Sequence, residues 1–242
     1  MTYRSLHLLA VIPARGGSKG IPRKNLKPIA GVSLVGHAIR TAQALDWIDR
    51  LCLSTDDEEI AAEGRRFGLE VPFLRPAELA TDGARSKEMW RQAWLASEAY
   101  YNEHYDASVL LEPTSPLRRP EDVTATVEAM LSAGCAAAAT VSRAPAHFTP
   151  HKCLTVDEGG KIGFFHPQGS RYSLRQHIPA FYFRNGICYA VRRSTLFDGD
   201  SIIESDCRAV LIDRPVVNID DLHDLEYADF LMRKRPESTV DT

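Results

Sequence analysis

The chain of 242 residues is 44% hydrophobic and 25% charged, with Gly and Pro at ordinary levels, which excludes a disordered, collagenous or disulfide-stapled protein. Its 29 Lys and Arg against 32 Asp and Glu leave a formal charge of −3, so no global field gathers nucleic acid or an acidic membrane, and any anion site must be local. Five cysteines form an odd set with no CxxC pair; they read as small buried hydrophobes in a reducing compartment, the cytoplasm.

The longest apolar stretches, 6–14 and 133–141, fall far short of the roughly 20 residues that span a bilayer. Residues 1–14 have the outline of a short signal peptide, but cleavage there would remove a strand that leads into the richest motif.

In chain order, residues 6–13 read as a strand buried on both faces, and Leu34, Ala38, Ile39, Ala42 and Leu45 mark a helix. Residues 50–54 form a short strand, Asp56 and Asp57 can cap a helix over 58–67, and Gly68 stops it. A strand at 70–74, a long helix at 86–103, a strand at 108–112, a helix at 121–133 and a strand at 136–141 follow. This alternation predicts an α/β fold: a mostly parallel sheet with helices on both faces and ligands outside the carboxyl ends of the strands. Between 143 and 185 the prolines, the Gly159–Gly160 turn and the short apolar runs 153–156 and 161–165 suggest hairpins, an insertion within a single domain spanning 1–242. Strand character returns at 186–191 and 209–212. A closing helix over 221–235 puts Leu222, Leu225, Ala228 and Met232 on one face.

The densest chemistry lies in AVIPARGGSKGIPRKN, residues 10–25. A buried strand releases Arg15, Gly16, Gly17, Ser18, Lys19 and Gly20, then Arg23, Lys24 and Asn25, at the ligand edge. Glycines let backbone N–H groups approach a phosphate, and four cations can neutralise a triphosphate. The spacing matches neither the ATPase P-loop nor the dinucleotide fingerprint.

This motif is followed by STDDEEI (54–60), FLRP (73–76), LATD (79–82), PTSPLR (113–118), Arg175-Gln176, Asn185-Gly186 and NID (218–220). In order and spacing the set resembles the N-acylneuraminate cytidylyltransferases, or CMP-sialic acid synthetases, with their relatives for legionaminic, pseudaminic and deoxyoctulosonic acids. The resemblance implies a Rossmann-like nucleotidyltransferase fold in which the anomeric hydroxyl of a 2-keto-3-deoxy sugar acid attacks the α-phosphate of CTP and pyrophosphate leaves. Such chemistry asks for cations and metal more than for a nucleophilic side chain.

By the same resemblance, Arg15, Lys19 and Lys24 hold the triphosphate within the loop that includes Gly16, Gly17 and Ser18, and Asn25 fixes the nucleoside. Arg75 and Ser86 lie in segments that line the nucleotide site, although Ser86 can equally cap a helix and Arg75 pair at the surface. Glu112, Thr114 and Ser115 face the sugar, on a turn stiffened by Pro113 and Pro116; the family usually has Gln in place of Glu112. Asp220, with Asn218 two residues before it on the same side of an extended segment, is the expected Mg²⁺ ligand, where the family usually has Asp at both places. Asp221 caps the last helix. The insertion resembles a dimerisation arm that reaches over the partner's site, offering Lys152 and Arg175 as cations and placing Gln176, Tyr182, Phe183 and Asn185 near the sugar. A homodimer acting on CTP and a sugar acid is the expectation, with no nucleic acid and no membrane as partner.

Overall fold

Alternation along one buried strand sorts the core into two layers. In the computed structural model, which describes residues 6–172, 177–203 and 206–234, β1 (Leu8–Pro13) sends Leu8, Ala10 and Ile12 into one apolar cluster and Leu9 and Val11 into another. Two-residue strands β2 (Pro28–Ile29) and β3 (Val32–Ser33) form a tight hairpin, and α1 (Leu34–Gln43) starts where Ser33 Oγ accepts from Gly36 N. β4 (Arg50–Ser54) and α2 (Glu58–Arg66) follow, then α3 (Ser86–Tyr101), β5 (Ala107–Leu110), α4 (Pro120–Ser132) and β6 (Ala137–Arg143). The exposed antiparallel hairpin of β7 (Leu154–Val156) and β8 (Ile162–Phe164) precedes β9 (Tyr182–Arg192), α5 (Arg193–Phe197), β10 (Cys207–Leu211) and α6 (Leu222–Arg233).

The six-stranded sheet runs β10-β6-β9-β5-β1-β4. Pairs β1–β4, β1–β5 and β10–β6 are parallel, while β9 is antiparallel to both neighbours. The mostly parallel sheet expected from the alternation is present, with β9 reversed because the chain returns from the insertion directly beside β6. α1, α2 and α4 cover one face, α3 and α5 the other. A buried strand order of this kind leaves the carboxyl ends of β1, β4 and β5 as one open edge.

Four local expectations change. Residues 70–74 are extended but form no strand: Pro72 has no N–H to offer a ladder, and the segment is instead tied by Arg75 N to Thr55 O at 2.7 Å. Asp57 alone caps α2, accepting from Glu59 N and Ile60 N, while Asp56 turns to another partner. Leu222 is exposed, and α6 buries Ala228 with Leu225 and Met232 partly covered. Cys52 and Cys188 are buried as expected, but Cys135 and Cys207 are half-buried and Cys153 is exposed; all five are free thiols. Among the described residues no helix is long and apolar enough to cross a membrane.

Behind β1 and β5, Trp90 Nε1 donates to Ser108 Oγ at 2.8 Å and that hydroxyl donates to Leu9 O at 2.7 Å, all three fully buried. Trp90→Phe should cost about 2–3 kcal/mol in denaturant unfolding, from lost packing and an unmet acceptor, with Michaelis constants little changed.

Candidate active site

The loop leaving β1 is held in place from three directions. Ala14 N donates to Ser54 O at 2.9 Å, and Gly16 N to Asp56 Oδ1 at 2.9 Å. Asn25, buried, gives its amide to Arg15 O at 2.9 Å, and Lys24 Nζ donates to Ile219 O at 2.8 Å, joining the loop to the strand-like run before α6. Two glycines are required by close approach: a Cβ on Gly16 would lie 2.6 Å from Asp57 Oδ2, and one on Gly20 would lie 2.4 Å from Asp220 O. Gly17 has no such crowding.

This framework borders a cavity of ≈470 Å³ at the carboxyl ends of β1 and β5. Of the residues expected from the sequence, Arg15, Ser18, Lys19, Lys24, Asn25, Arg75, Ser86, Glu112, Thr114 and Asp220 line it together. Ser86 opens α3, whose cap is Arg85, so the hydroxyl is not used as a helix cap. Arg75 is no surface residue. It is buried, with Nε on Ser54 Oγ at 3.0 Å and Nη2 on Ser54 O at 2.5 Å, and burial pulls its guanidinium down to about 10.

Several expected contacts are spent elsewhere. Gly16 N is committed to Asp56, and Gly16 and Gly17 do not line the cavity. Arg23 leaves the cation cluster to pair with Glu59 at 2.7 Å and Asp57 at 3.4 Å at the start of α2. Ser115 is fully buried and donates to Asn185 O at 3.0 Å. The Asn185 side chain is engaged inside the sheet: Oδ1 accepts from Thr140 Oγ1 and Ile187 N, and Nδ2 donates to Ser142 Oγ. Both are therefore props of the β9 turn rather than groups facing a ligand. Lys152, Tyr182 and Phe183 sit on or beside the hairpin arm, outside the cavity, with both aromatics half-exposed. Arg175 and Gln176 lie outside the described residues.

The segment before α6 is extended without being a ladder strand, and its burial alternates so that Asn218 and Asp220 are both exposed. Asp220 lines the cavity 3.6 Å from Lys24 Nζ; Asn218 does not line it, but its Nδ2 lies 3.4 Å from where a Cβ on Gly186 would stand, a position 2.6 Å from Glu112 Oε2. Asp221 caps α6 in a reciprocal capping box with Asp224, as expected. Among the described residues no cluster of three or more His, Cys, Asp or Glu side chains stands ready for a metal ion.

Sequence reasoning missed Asp82. Its carboxylate binds Arg15 Nη2 and Lys19 Nζ, each at 2.8 Å, and these cations hold it below the usual aspartate range. A lone aspartate in a loop carries no signature; only the quoted LATD motif pointed there. Thr81, Met89 and Leu110 also line the cavity.

Glu112 lines the same cavity. Burial raises its carboxyl above the ordinary glutamate range, against the pull of Arg118, Arg184 and Lys24. Arg118, itself buried and lowered to about 10, donates to the carbonyls of Ile187, Glu112 and Gly186 and so fixes the β5 and β9 ends together.

A family model described as cytidylyltransferase matches residues 9–195. The chain belongs to the cytidylyltransferase family. It is 28% identical over 229 residues to post-translational flagellin modification protein B of Campylobacter coli, covering 94% of this chain and 96% of the relative. It is also 28% identical over 235 residues to CMP-N,N'-diacetyllegionaminic acid synthase of Campylobacter jejuni, covering 97% and 98%. Among solved structures, CMP:2-keto-3-deoxy-manno-octonic acid synthetase complexed with CTP shares the fold at 20% identity with a TM-score of 0.68, over 94% of this chain and 98% of that one.

Two outcomes follow for this cytidylyltransferase. Asp82→Asn should bind CTP about two- to tenfold more tightly at low ionic strength, with the gap closing in high salt; calorimetry showing weaker binding would contradict the competition. Because the native state holds the Glu112 proton more tightly than the unfolded chain does, ionising Glu112 costs stability. The cost is absent below the unfolded value near pH ~4.3 and complete above the raised native one. Glu112→Gln should therefore gain stability over the parent as pH rises from about 4 to about 7, and thermal melts across that range check the sign.

Proposed function

We propose that the protein transfers CMP from CTP to the anomeric hydroxyl of a nonulosonic, sialic-acid-like sugar acid and releases pyrophosphate. The observation that carries this reading is the single cavity in which Arg15, Lys19 and Lys24 face Glu112 and Thr114. Cations for a polyphosphate and polar groups for a hydroxyl-rich acceptor meet there. Family membership and the near full-length likeness to a CMP-N,N'-diacetyllegionaminic acid synthase support the acceptor class.

In this reading Arg15 and Lys19 exchange Asp82 for the β- and γ-phosphates, and Lys24 stays near the α-phosphate. Arg75, pinned by Ser54, and Asn25 border the nucleoside. The anomeric oxygen forms a bond to the α-phosphorus as the bond to the bridging oxygen of pyrophosphate breaks, and the hydroxyl proton is lost. The chain's part is to hold donor and acceptor in line and to meet charge growing on the leaving pyrophosphate with fixed cations.

Mg²⁺ is the proposed cofactor. The donor set fits it: hard oxygens from Asp220, with Asn218 able to add a neutral carbonyl oxygen, leave most positions to phosphate and water as this ion prefers. When bound, it would neutralise phosphate charge. The arm supports a homodimer, because Phe148, Phe164, Phe165, Tyr182 and Phe183 expose apolar surface that a second copy can cover. Lys152, with Arg175, would then add positive charge over the partner's cavity. The five free thiols fit a cytoplasmic setting.

The test is pyrophosphate release from CTP and Mg²⁺ with N-acylneuraminic, legionaminic, pseudaminic and deoxyoctulosonic acids in separate reactions. Release with at least one acid is expected, and Asp220→Ala should lower turnover more than about 100-fold. Normal turnover of that variant at saturating Mg²⁺ would remove Asp220 as a ligand; CTP binding with no release for any acid would overturn the transferase reading.

A further inference from the structure

The STDD run, residues 54–57, does not line the cavity but grips two of the elements that do. Ser54 closes β4 and is 2% exposed. Its carbonyl accepts from Ala14 N at 2.9 Å, at the root of the cation loop, and from Arg75 Nη2 at 2.5 Å. Its hydroxyl accepts from Arg75 Nε at 3.0 Å, and Thr55 O accepts from Arg75 N at 2.7 Å. Asp56 completes the grip by accepting from Gly16 N at 2.9 Å. One short segment thus sets where the cation loop stands relative to the Arg75 side chain.

Arg75 is the unusual partner. It is 7% exposed, and among the described residues its guanidinium forms no ion pair. The charge of Asp56 favours its ionised form and that of Arg15 opposes it, but neither bonds to it. A buried guanidinium without a paired carboxylate is costly, so its retention asks for a partner that arrives with a ligand. Of its three nitrogens, Nε and Nη2 are spent on Ser54. Nη1 has no partner among the described residues and is not one of the sealed polar atoms, so it opens into the cavity that Arg75 lines. With two nitrogens clamped the guanidinium plane is fixed, and Nη1 donates in a set direction. The Ser54 hydroxyl is the part of this clamp that a side-chain substitution removes; the bonds to backbone carbonyls remain.

We propose that Ser54 is a positioning residue for nucleobase choice: through its clamp on Arg75 it aims a fixed donor at the acceptor edge of cytosine and so sets a preference for CTP over UTP. The inference deepens the proposed function and rests on it for the nucleotide. Cytosine carries adjacent acceptors, O2 and N3, whereas uracil has an N3–H donor beside O2, and proteins read bases along these edges. A donor with one direction suits the first edge and meets an N–H on the second; a donor free to swing discriminates less. Leu79, Met89 and Leu110, apolar and on the wall of the same cavity, suit the face of a base.

The test titrates the full chain with CTP and with UTP by calorimetry at one Mg²⁺ concentration. Ser54→Ala should lower CTP affinity about tenfold and leave UTP affinity within about threefold, so that the preference collapses. Arg75→Gln should lower the preference similarly, and adding Ser54→Ala to that variant should lose nothing further, a coupling that a merely structural role would not produce. If Ser54→Ala fails to fold, Ser54→Cys, of similar volume with a weaker acceptor, gives the same readout. Equal loss for both nucleotides, an unchanged preference, or a second additive loss in the double variant would overturn the assignment. A preference that collapses as expected while no acid yields pyrophosphate would sustain it and overturn the transferase reading. Equal binding of CTP and UTP by the parent would overturn it and leave the transferase reading standing. No binding of either nucleotide overturns both.

Discussion

Like charges resist being gathered, and the whole edge of this sheet is organised around gathering them. Arg15, Lys19, Lys24 and Arg75 converge on one cavity, held by three devices: a carboxylate from the loop before α3 shared by Arg15 and Lys19, a carbonyl and an aspartate before α6 for Lys24, and a serine at the end of β4 for Arg75. These partners come from three separate stretches of sequence, so the cluster exists only once the sheet has brought β1, β4 and β5 into register. The fold is in that sense a frame for cations, whose counter-ion in the proposed function is a polyphosphate from solution.

The same logic explains the acids. Asp82, Asp220 and Glu112 each stand where they temper a positive neighbour, and their exposures separate their duties. Asp82 and Asp220 are solvent-facing and can give way to phosphate or accept an ion, whereas Glu112 is buried enough for its carboxyl to be raised. Asp56 and Asp57 act on the backbone instead, fixing Gly16 and the start of α2. A substitution among these five carboxylates changes binding, loop position or stability according to that division.

Much of this was legible in the sequence because strand periodicity and glycine-rich loops are local signals. The buried run of β1, the caps at Asp57 and Asp221, and the cation loop all stand within a few residues of the features that define them. What stayed hidden depends on contacts between distant segments. Ser115 and Asn185 look like sugar-facing polar groups until the sheet pairs β6 with β9 and consumes their hydrogen bonds. Arg75 looks like a surface cation until Ser54 is beside it, and Asp82 acquires meaning only through Arg15 and Lys19. The missing strand at 70–74 is a case of a proline defeating an otherwise apolar run.

In the proposed function the cation-lined cavity takes a triphosphate. Calorimetric titration of the full chain with CTP, CDP and CMP at one ionic strength tests it most directly. CTP binding about 100-fold or more tighter than CMP, with CDP between them, is the result expected from charge-assisted bonds to the β1 loop. Equal affinities for the three nucleotides would contradict it.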